Sequence, residues 1–257
     1  MSLTQVPSDA DFSLPAVRHL NWDRPFFWLQ AGWRDLKANP LPSLAYAILF
    51  GLGGDLIILA LFSRPHLVTV AVSGFFLIAP LLAAGLYELS RRTANGEKIL
   101  FIDSVLCFRR NGQSLALFGL FIAIAIVLWE RFSAISFGLL GSSHGVDTAA
   151  YLSKIVFSGE HSTFVAAWFA LGGLLALLVF ALSVVSVPLM LDRNSDFITA
   201  MKTSLRAFTS NSMPLLLWGA IIVLLTLTGF ATFLFGLLLI MPILGHASWH
   251  AYKELVE

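Results

Sequence analysis

The sequence predicts an all-α integral membrane protein with six transmembrane helices, arranged as three repeats of an interfacial helix, a span and a proline-kinked span. The first reason is composition, because 58% of the 257 residues are hydrophobic and 12% are charged, against about 25% charged in soluble domains. The second is that several apolar runs reach the roughly 20 helical residues needed to cross a hydrocarbon core. The third is the distribution of basic residues, which is one-sided once these runs are taken as spans.

The spans follow from the apolar runs in chain order. They are predicted over residues 41–62, 67–89, 115 to about 135, and 163–191. Residues 213–252 contain no charged side chain, and a single helix of that length would measure about 60 Å, twice the core thickness. This run therefore predicts two further spans that turn near Thr228 and Gly229.

The basic residues orient this arrangement. Residues 1–25 are predicted to form an N-terminal cytoplasmic tail and residues 26–257 a single six-span membrane domain, and no cleavable signal peptide is expected. Thirteen of the 16 Lys and Arg residues then lie on the side of the tail, whereas Arg64, Arg131 and Lys154 lie on the other. Because basic residues mark the cytoplasmic side, both termini are predicted to be cytoplasmic.

Four tryptophans fall near the predicted ends of spans. Trp33 and Trp218 lie near inner ends, and Trp129 and Trp168 lie near outer ends. This placement fits interfacial belts of aromatic residues, and it fits the bundle interior equally well.

Three stretches before the odd-numbered spans share one layout, in which an amphipathic segment ends at an asparagine. They read FFWLQAGWRDLKANP, LFIDSVLCFRRNG and DFITAMKTSLRAFTSNS, with Asn39, Asn111 and Asn211 at the shared position. Apolar residues three and six positions before each asparagine indicate amphipathic helices, and asparagine is favoured just past a helix end. Each stretch predicts a short helix at the inner interface.

The even-numbered spans share a proline. The segments around Pro80, Pro188 and Pro242 superimpose on it, and proline kinks a helix by removing one backbone hydrogen bond. Together with the asparagine layout, this favours three copies of one unit. The alternative is a chance alignment of apolar segments of low complexity.

Superposition on the prolines also aligns the polar residues four and eight positions further on. Side chains four residues apart share a helix face, so these groups would converge if the three kinked helices cluster. Carboxylates and imidazoles bind divalent transition metals, which makes them candidates for a metal or proton site. In the alternative they are polar residues at helix ends, with Asp192 and Asp196 capping the next helix. The candidates are Glu88, Asp192, Asp196, His246 and His250.

A second group of charged residues is predicted near the outer boundary of the membrane. Asp55 lies in the first span, and Glu130 and Arg131 lie in the third. A charged side chain at such a depth usually pairs or faces a wet cavity. An ion pair between Arg131 and Asp55 is the favoured interpretation, with a substrate or proton path and independent snorkelling as alternatives.

Several classes of function are disfavoured. A formal net charge of +1 argues against a nucleic-acid partner, and the single cysteine, Cys107, excludes an intrachain disulfide framework. The sequence contains no phosphate-binding glycine loop and no GxSxG nucleophile motif. No cofactor is expected, and the expected partners are the lipid bilayer and other membrane protein subunits.

Four sequence blocks carry a family resemblance: AGWRDLKANP, APLLAAGLYELSRRTANGE, ALSVVSVPLMLDRNSDFITAMKTSLRAF and MPILGHASWHAYKE. They resemble a bacterial family of predicted integral membrane proteins of unknown function, from about Trp22 to Glu254. The resemblance implies a multi-pass protein of the bacterial cytoplasmic (inner) membrane. Some members carry labels as cytochrome c oxidase subunits, but the resemblance implies no reaction.

Three functions remain open at this stage. The favoured one is a non-enzymatic scaffold or accessory protein, with a respiratory complex as a candidate partner. The second is a small-molecule or ion carrier, because kinked helices and internal repeats are common in transporters. The third is a membrane metalloenzyme or metal sensor that uses the inner polar residues.

Overall fold

A computed structural model of the chain describes residues 14–61, 83–97, 101–139, 159, 161–232 and 235–257. Within these ranges the regular structure is helical, apart from one isolated bridge between Val17 and Val256. The helices are α1 (Arg24–Ala38), α2 (Pro40–Leu61), α3 (Ala84–Ala94), α4 (Phe101–Val105), a 3₁₀ turn (Leu106–Arg109), α5 (Gly112–Leu139), α6 (Ser162–Ser183), α7 (Ser186–Arg193), α8 (Phe197–Ser210), α9 (Ser212–Ala231) and α10 (Leu237–Leu255).

Three stretches of helix in the described part of the chain are long and apolar enough to cross a membrane. They are Gly112–Ser136, Ser162–Arg193 and Ser212–Ala231, and they coincide with the third, fourth and fifth predicted spans. The first predicted span coincides with α2. Most of the second, including Pro80, lies outside the described residues, so the count of six spans stays a prediction.

The uncharged C-terminal run is divided into two helices, as predicted, but it turns later than predicted. α9 continues through Thr228 and Gly229 to Ala231, and α10 begins at Leu237. The Thr228 hydroxyl donates to the Leu224 carbonyl 2.9 Å away, which keeps it inside the helix. Gly229 also lies within the helix. Its missing side chain leaves room for Leu237 of α10.

Pro188 accompanies a break between α6 and α7. A serine hydroxyl from α8 is inserted at the break: Ser204 Oγ donates to the Ala181 carbonyl at 2.7 Å and accepts the Val185 N–H at 3.3 Å. The direct hydrogen bond between Val185 and Ala181 is replaced by two bonds through this hydroxyl, a known cause of kinks. The predicted kink at this proline thus depends on a side chain from another helix.

Ser204→Ala is expected to lower stability by about 1–2 kcal/mol, because it removes the partner of a buried N–H and of a buried carbonyl. Ser210→Ala is the matched control on the same helix, since the Ser210 hydroxyl has no hydrogen bond among the described residues. Thermal denaturation in detergent measures both. Equal midpoints for the two variants would show that the kink does not need the hydroxyl.

α10 lies at the centre of the packing and contacts α1, α2, α3 and α9. Gly32 lets α1 approach the α10 backbone, because a Cβ atom built there would lie 2.5 Å from the Ile243 carbonyl oxygen. Trp28 of α1 and Trp218 of α9 pack edge to face beside this contact, with ring centroids 5.7 Å apart. Both rings are buried, so Trp218 belongs to the bundle interior rather than to an interfacial belt.

The two ends of the chain meet on this bundle. The Arg18 N–H donates to the Leu255 carbonyl at 2.9 Å, and the Arg18 guanidinium pairs with the Glu257 carboxylate at 2.9 Å. Asn211 holds the same N-terminal segment, because its side chain accepts from the Leu20 N–H and donates to the Arg18 carbonyl. The described end of the predicted tail is therefore packed against α10.

The three asparagines of the predicted repeat each stand between a short helix and a long apolar one. Asn39 lies between α1 and α2, Asn111 between the 3₁₀ turn and α5, and Asn211 between α8 and α9. Asn39 donates to the Thr93 hydroxyl, and Asn111 donates to the carbonyls of Met190 and Ser195. These amides join the start of each long helix to another part of the chain, which explains the recurring residue type.

Candidate functional site

His246 is the most enclosed of the polar residues that the sequence predicts as ligands. It lies on α10, and its side chain is fully buried. Its Nε2 atom lies 2.9 Å from Ser43 Oγ of α2, and its Nδ1 atom lies 2.7 Å from Ser90 Oγ of α3. One imidazole therefore links three helices through two hydroxyl groups.

The hydrogen bonds continue from Ser90 to α1. The Ser90 hydroxyl donates to Asp35 Oδ2 at 2.6 Å, and the same carboxylate oxygen lies 2.9 Å from His250 Nε2. Burial alone raises the pKa of the Asp35 carboxyl, but the hydrogen bonds from His250 and Ser90 outweigh burial and hold this pKa below its ordinary value. Asp35 is thus an ionised buried group with two donors.

We call the connected residues Asn39, Ser43, His246, Ser90, Asp35 and His250 the polar chain. It contains five hydrogen bonds, the first from the Ser43 hydroxyl to the Asn39 carbonyl at 2.7 Å. The Ser43 hydroxyl donates to the Asn39 carbonyl and the Ser90 hydroxyl donates to Asp35, so both hydroxyls can only accept from His246. An imidazole with a single N–H satisfies one of these two contacts with His246.

The stability contributed by Asp35 should depend on pH. Because its pKa in the folded protein is lower than the ordinary value of 3.8, the stabilisation is present above about pH 4 and is lost as the pH falls through the folded-state value. Asp35→Asn should therefore melt below the wild type at pH 6, and the gap should narrow at pH 3. A gap that does not change between these pH values would contradict an ionised Asp35.

Glu88 is the centre of a second cluster. Its side chain is 1% exposed, and it accepts hydrogen bonds from three guanidinium groups at 2.8–3.0 Å, those of Arg91, Arg92 and Arg110. Arg110 approaches with both terminal nitrogens, each 2.9 Å from a carboxylate oxygen. Because Glu88 is on α3 and Arg110 directly precedes Asn111 and α5, this bidentate pair ties two segments together.

The two aspartates of the predicted ligand set have separate roles. Asp192 accepts hydrogen bonds from the Tyr252 hydroxyl at 2.8 Å and from the Lys253 ammonium at 3.2 Å, which joins α7 to α10. Asp196 caps α8, since its Oδ1 accepts the N–H groups of Ile198 and Thr199 at 3.0 Å each. The capping alternative is thus confirmed for Asp196 and wrong for Asp192, which instead bonds to α10.

The five predicted ligands do not share one set of contacts. Glu88 binds arginines, the two histidines bind to the polar chain, and the two aspartates bind elsewhere. Across the described residues, no group of three or more His, Cys, Asp or Glu side chains is placed to hold a metal ion. The metal interpretation remains a prediction, and these contacts favour a role for Glu88, Asp192 and the two histidines in joining separate segments.

Asp35, Ser43 and Ser90 complete the polar chain, and the sequence analysis did not identify them. A signal was present for Asp35, because Trp28, Gly32, Asp35 and Asn39 follow one another at helical spacing and therefore share a face of α1. An aspartate on the face that also carries a glycine and a tryptophan indicates a buried carboxylate. No comparable pattern marks the two serines.

The predicted outer pair is described in part. Arg131 Nε lies 3.2 Å from Glu130 Oε2, and the Arg131 side chain is 74% exposed. The Asp55 side chain lies outside the described residues, so its pairing with Arg131 stays a prediction.

In the described part of the chain, an all-helical fold with three helices long and apolar enough to cross a membrane is typical of an integral membrane protein. Residues 67–192 match the model of a family described as "Predicted integral membrane protein (DUF2189)". This family of unknown function is the one that the four sequence blocks resemble, so the match confirms the resemblance. Comparison with curated proteins and with solved structures gave no match.

Proposed function

We propose that this chain is a non-enzymatic scaffold or accessory protein of the bacterial cytoplasmic (inner) membrane, with a respiratory complex as a candidate partner. The proposal includes six spans in three repeats of interfacial helix, span and kinked span, with both termini in the cytoplasm. The supporting observation is that three of the candidate ligands make hydrogen bonds to other segments of the bundle. They are His246, Glu88 and Asp192. Groups used in this way hold the bundle in one arrangement.

Copurification from native membranes tests the scaffold role. The chain carries a C-terminal tag, is cross-linked in the membrane and is purified in mild detergent. The proposal expects one or a few membrane proteins at a fixed ratio to the chain. Gly32→Ala, which disturbs the bundle at the contact of α1 with α10, should lose them, whereas Gly173→Ala, at an open position on α6, should retain them. Purification of the wild-type chain alone at every detergent concentration would overturn the scaffold role.

A reporter fused after Glu257 tests the topology. The basic residues and the division of the C-terminal run into α9 and α10 support an even number of spans. A reporter that works only in the cytoplasm should therefore be active when it is fused after Glu257. Activity found only with reporters that work on the outer side of the membrane would contradict an even number of spans.

A proton-coupled carrier is the second candidate, and the polar chain is the observation that favours it. The polar chain runs from the part-buried His250 through Asp35 to the fully buried His246, and it reaches the start of α2 at Ser43. Purified protein in liposomes that contain a pH-sensitive dye would reveal proton uptake under an imposed potential. The scaffold role predicts no uptake above that of empty liposomes, whereas uptake that is lost in His246→Phe would favour the carrier.

A further inference from the structure

In the described part of the chain, acidic side chains have internal partners more often than basic ones. Most carboxylates have an internal partner, as Asp35, Glu88 and Asp192 show. By contrast, five exposed basic side chains on α1, the 3₁₀ turn and α8 make no ion pair with any described residue. These cations, which are available to an external anion, are Arg34, Lys37, Arg109, Lys202 and Arg206.

On α1 the free cations are interleaved with exposed aromatic rings. Phe26 is 53% exposed and Trp33 is 43% exposed, and both lie on the face of the helix that carries Arg34 and Lys37. The Lys37 ammonium lies 5.6 Å from the centroid of the Trp33 ring. The acidic residue within α1, Asp35, is buried and points into the bundle. The exposed face of α1 therefore carries basic, aromatic and uncharged side chains, among them Gln30, and no acidic one.

The other two short segments repeat this composition. On α8 the exposed residues Ile198, Lys202 and Leu205 follow one another at a spacing of three to four. The exposed Arg206 comes directly after Leu205. Exposed apolar residues also precede Arg109 on α4 and the 3₁₀ turn, among them Ile102, Val105 and Leu106. Three separate elements thus present large apolar side chains together with unpaired cations.

This mixture fits a particular layer of a membrane. The hydrocarbon core excludes free cations, and a face in contact with water alone gains nothing from exposed tryptophan and isoleucine. The headgroup layer accepts both, because aromatic and aliphatic side chains enter its inner edge while Lys and Arg bind lipid phosphates. An excess of unpaired cations further selects anionic lipids over zwitterionic ones.

We infer that the exposed faces of α1, of α4 with its 3₁₀ turn, and of α8 form a binding surface for anionic phospholipid headgroups. Asn39, Asn111 and Asn211 place these elements directly before the three long apolar helices α2, α5 and α9. The surface therefore lies where those helices enter the bilayer. The inference rests on the proposed location of the chain in a membrane and specifies which lipids its short helices bind.

Thermal denaturation of the full chain in detergent tests this surface, with phosphatidylglycerol or phosphatidylcholine added to the micelles. Phosphatidylglycerol should raise the midpoint by about 5 °C or more relative to phosphatidylcholine, as expected when several cations bind an anionic surface. High salt should remove the difference. The triple variant Lys37→Gln, Lys202→Gln, Arg206→Gln should lose more than half of it.

Arg131→Gln is the matched control for Arg206→Gln, because Arg131 is an exposed arginine 19 residues from the start of α5, about 29 Å along the helix. The control should keep the full response, whereas Arg206→Gln should reduce it. Equal midpoints in the two lipids would overturn the inference, as would an undiminished response in the triple variant. Stabilisation by inorganic phosphate alone, or by polyglutamate but not lipid, would overturn it in favour of a free anion or an acidic protein.

Alkaline carbonate extraction of membranes separates this inference from the proposal on which it rests. A chain that stays in the membrane pellet but shows no preference for phosphatidylglycerol contradicts the lipid surface and leaves the membrane location intact. A chain released into the supernatant contradicts the membrane location itself.

Discussion

Gly32→Ala should be among the most damaging single substitutions in this protein and should cost about 3 kcal/mol of stability. The new Cβ atom would lie 2.5 Å from the Ile243 carbonyl oxygen and 2.8 Å from the Ala247 amide nitrogen. Both are backbone atoms of α10 and cannot turn aside, so α1 has to move away from α10. Overpacking of an interior usually costs 1–3 kcal/mol, and a clash with backbone belongs at the upper end of that range.

Gly173→Ala is the control for this substitution. Gly173 lies on α6, and a Cβ atom built there meets nothing within 4 Å, so this variant should keep the wild-type melting temperature. Circular dichroism of the detergent-solubilised variants measures both midpoints. Equal stability of Gly32→Ala and Gly173→Ala would show that α1 does not pack against α10 as closely as described.

Glu88→Gln should cost about 2 kcal/mol. The amide keeps the shape of the side chain but removes the charge that balances the guanidiniums of Arg91, Arg92 and Arg110. Breaking a fully buried ion pair costs about 3–5 kcal/mol. The three arginine side chains are 18–35% exposed, so water compensates part of the loss and the expected value is lower.

Glu97→Gln is the matched control, because Glu97 also pairs with Arg91, at 3.4 Å, but is exposed. Its removal should leave the melting temperature close to that of the wild type. If both substitutions lowered the melting temperature by the same small amount, the ion pairs of Glu88 would not stabilise the fold.

The sequence predicted helices and their ends better than it predicted contacts between them. The helices α1 and α8 end at Asn39 and Asn211, as expected from amphipathic spacing and a favoured capping residue. In the C-terminal run, α9 continues to Ala231, beyond the turn that the sequence predicts near Thr228 and Gly229. In the folded chain Thr228 bonds to its own helix and Gly229 accommodates Leu237.

The candidate site shows where prediction from one sequence stops. Helical spacing correctly implies that His246 and His250 share a face of α10, and both belong to the polar chain. It does not give the rotation of each helix about its own axis, which decides the partner of each residue. Alignment on the prolines assigned Glu88 and His250 equivalent positions, yet Glu88 binds Arg110 and His250 binds Asp35.

Polar residues near the ends of these helices tie separate segments of the bundle together. A double-mutant cycle between Glu88 and Arg110 measures this most directly, because the two residues lie 22 positions apart in sequence and on different segments. Glu88→Gln, Arg110→Gln and the double variant are unfolded thermally in the same detergent. We expect a coupling free energy of about 1–2 kcal/mol, with the double variant losing much less stability than the sum of the two single losses. Strictly additive losses would contradict it.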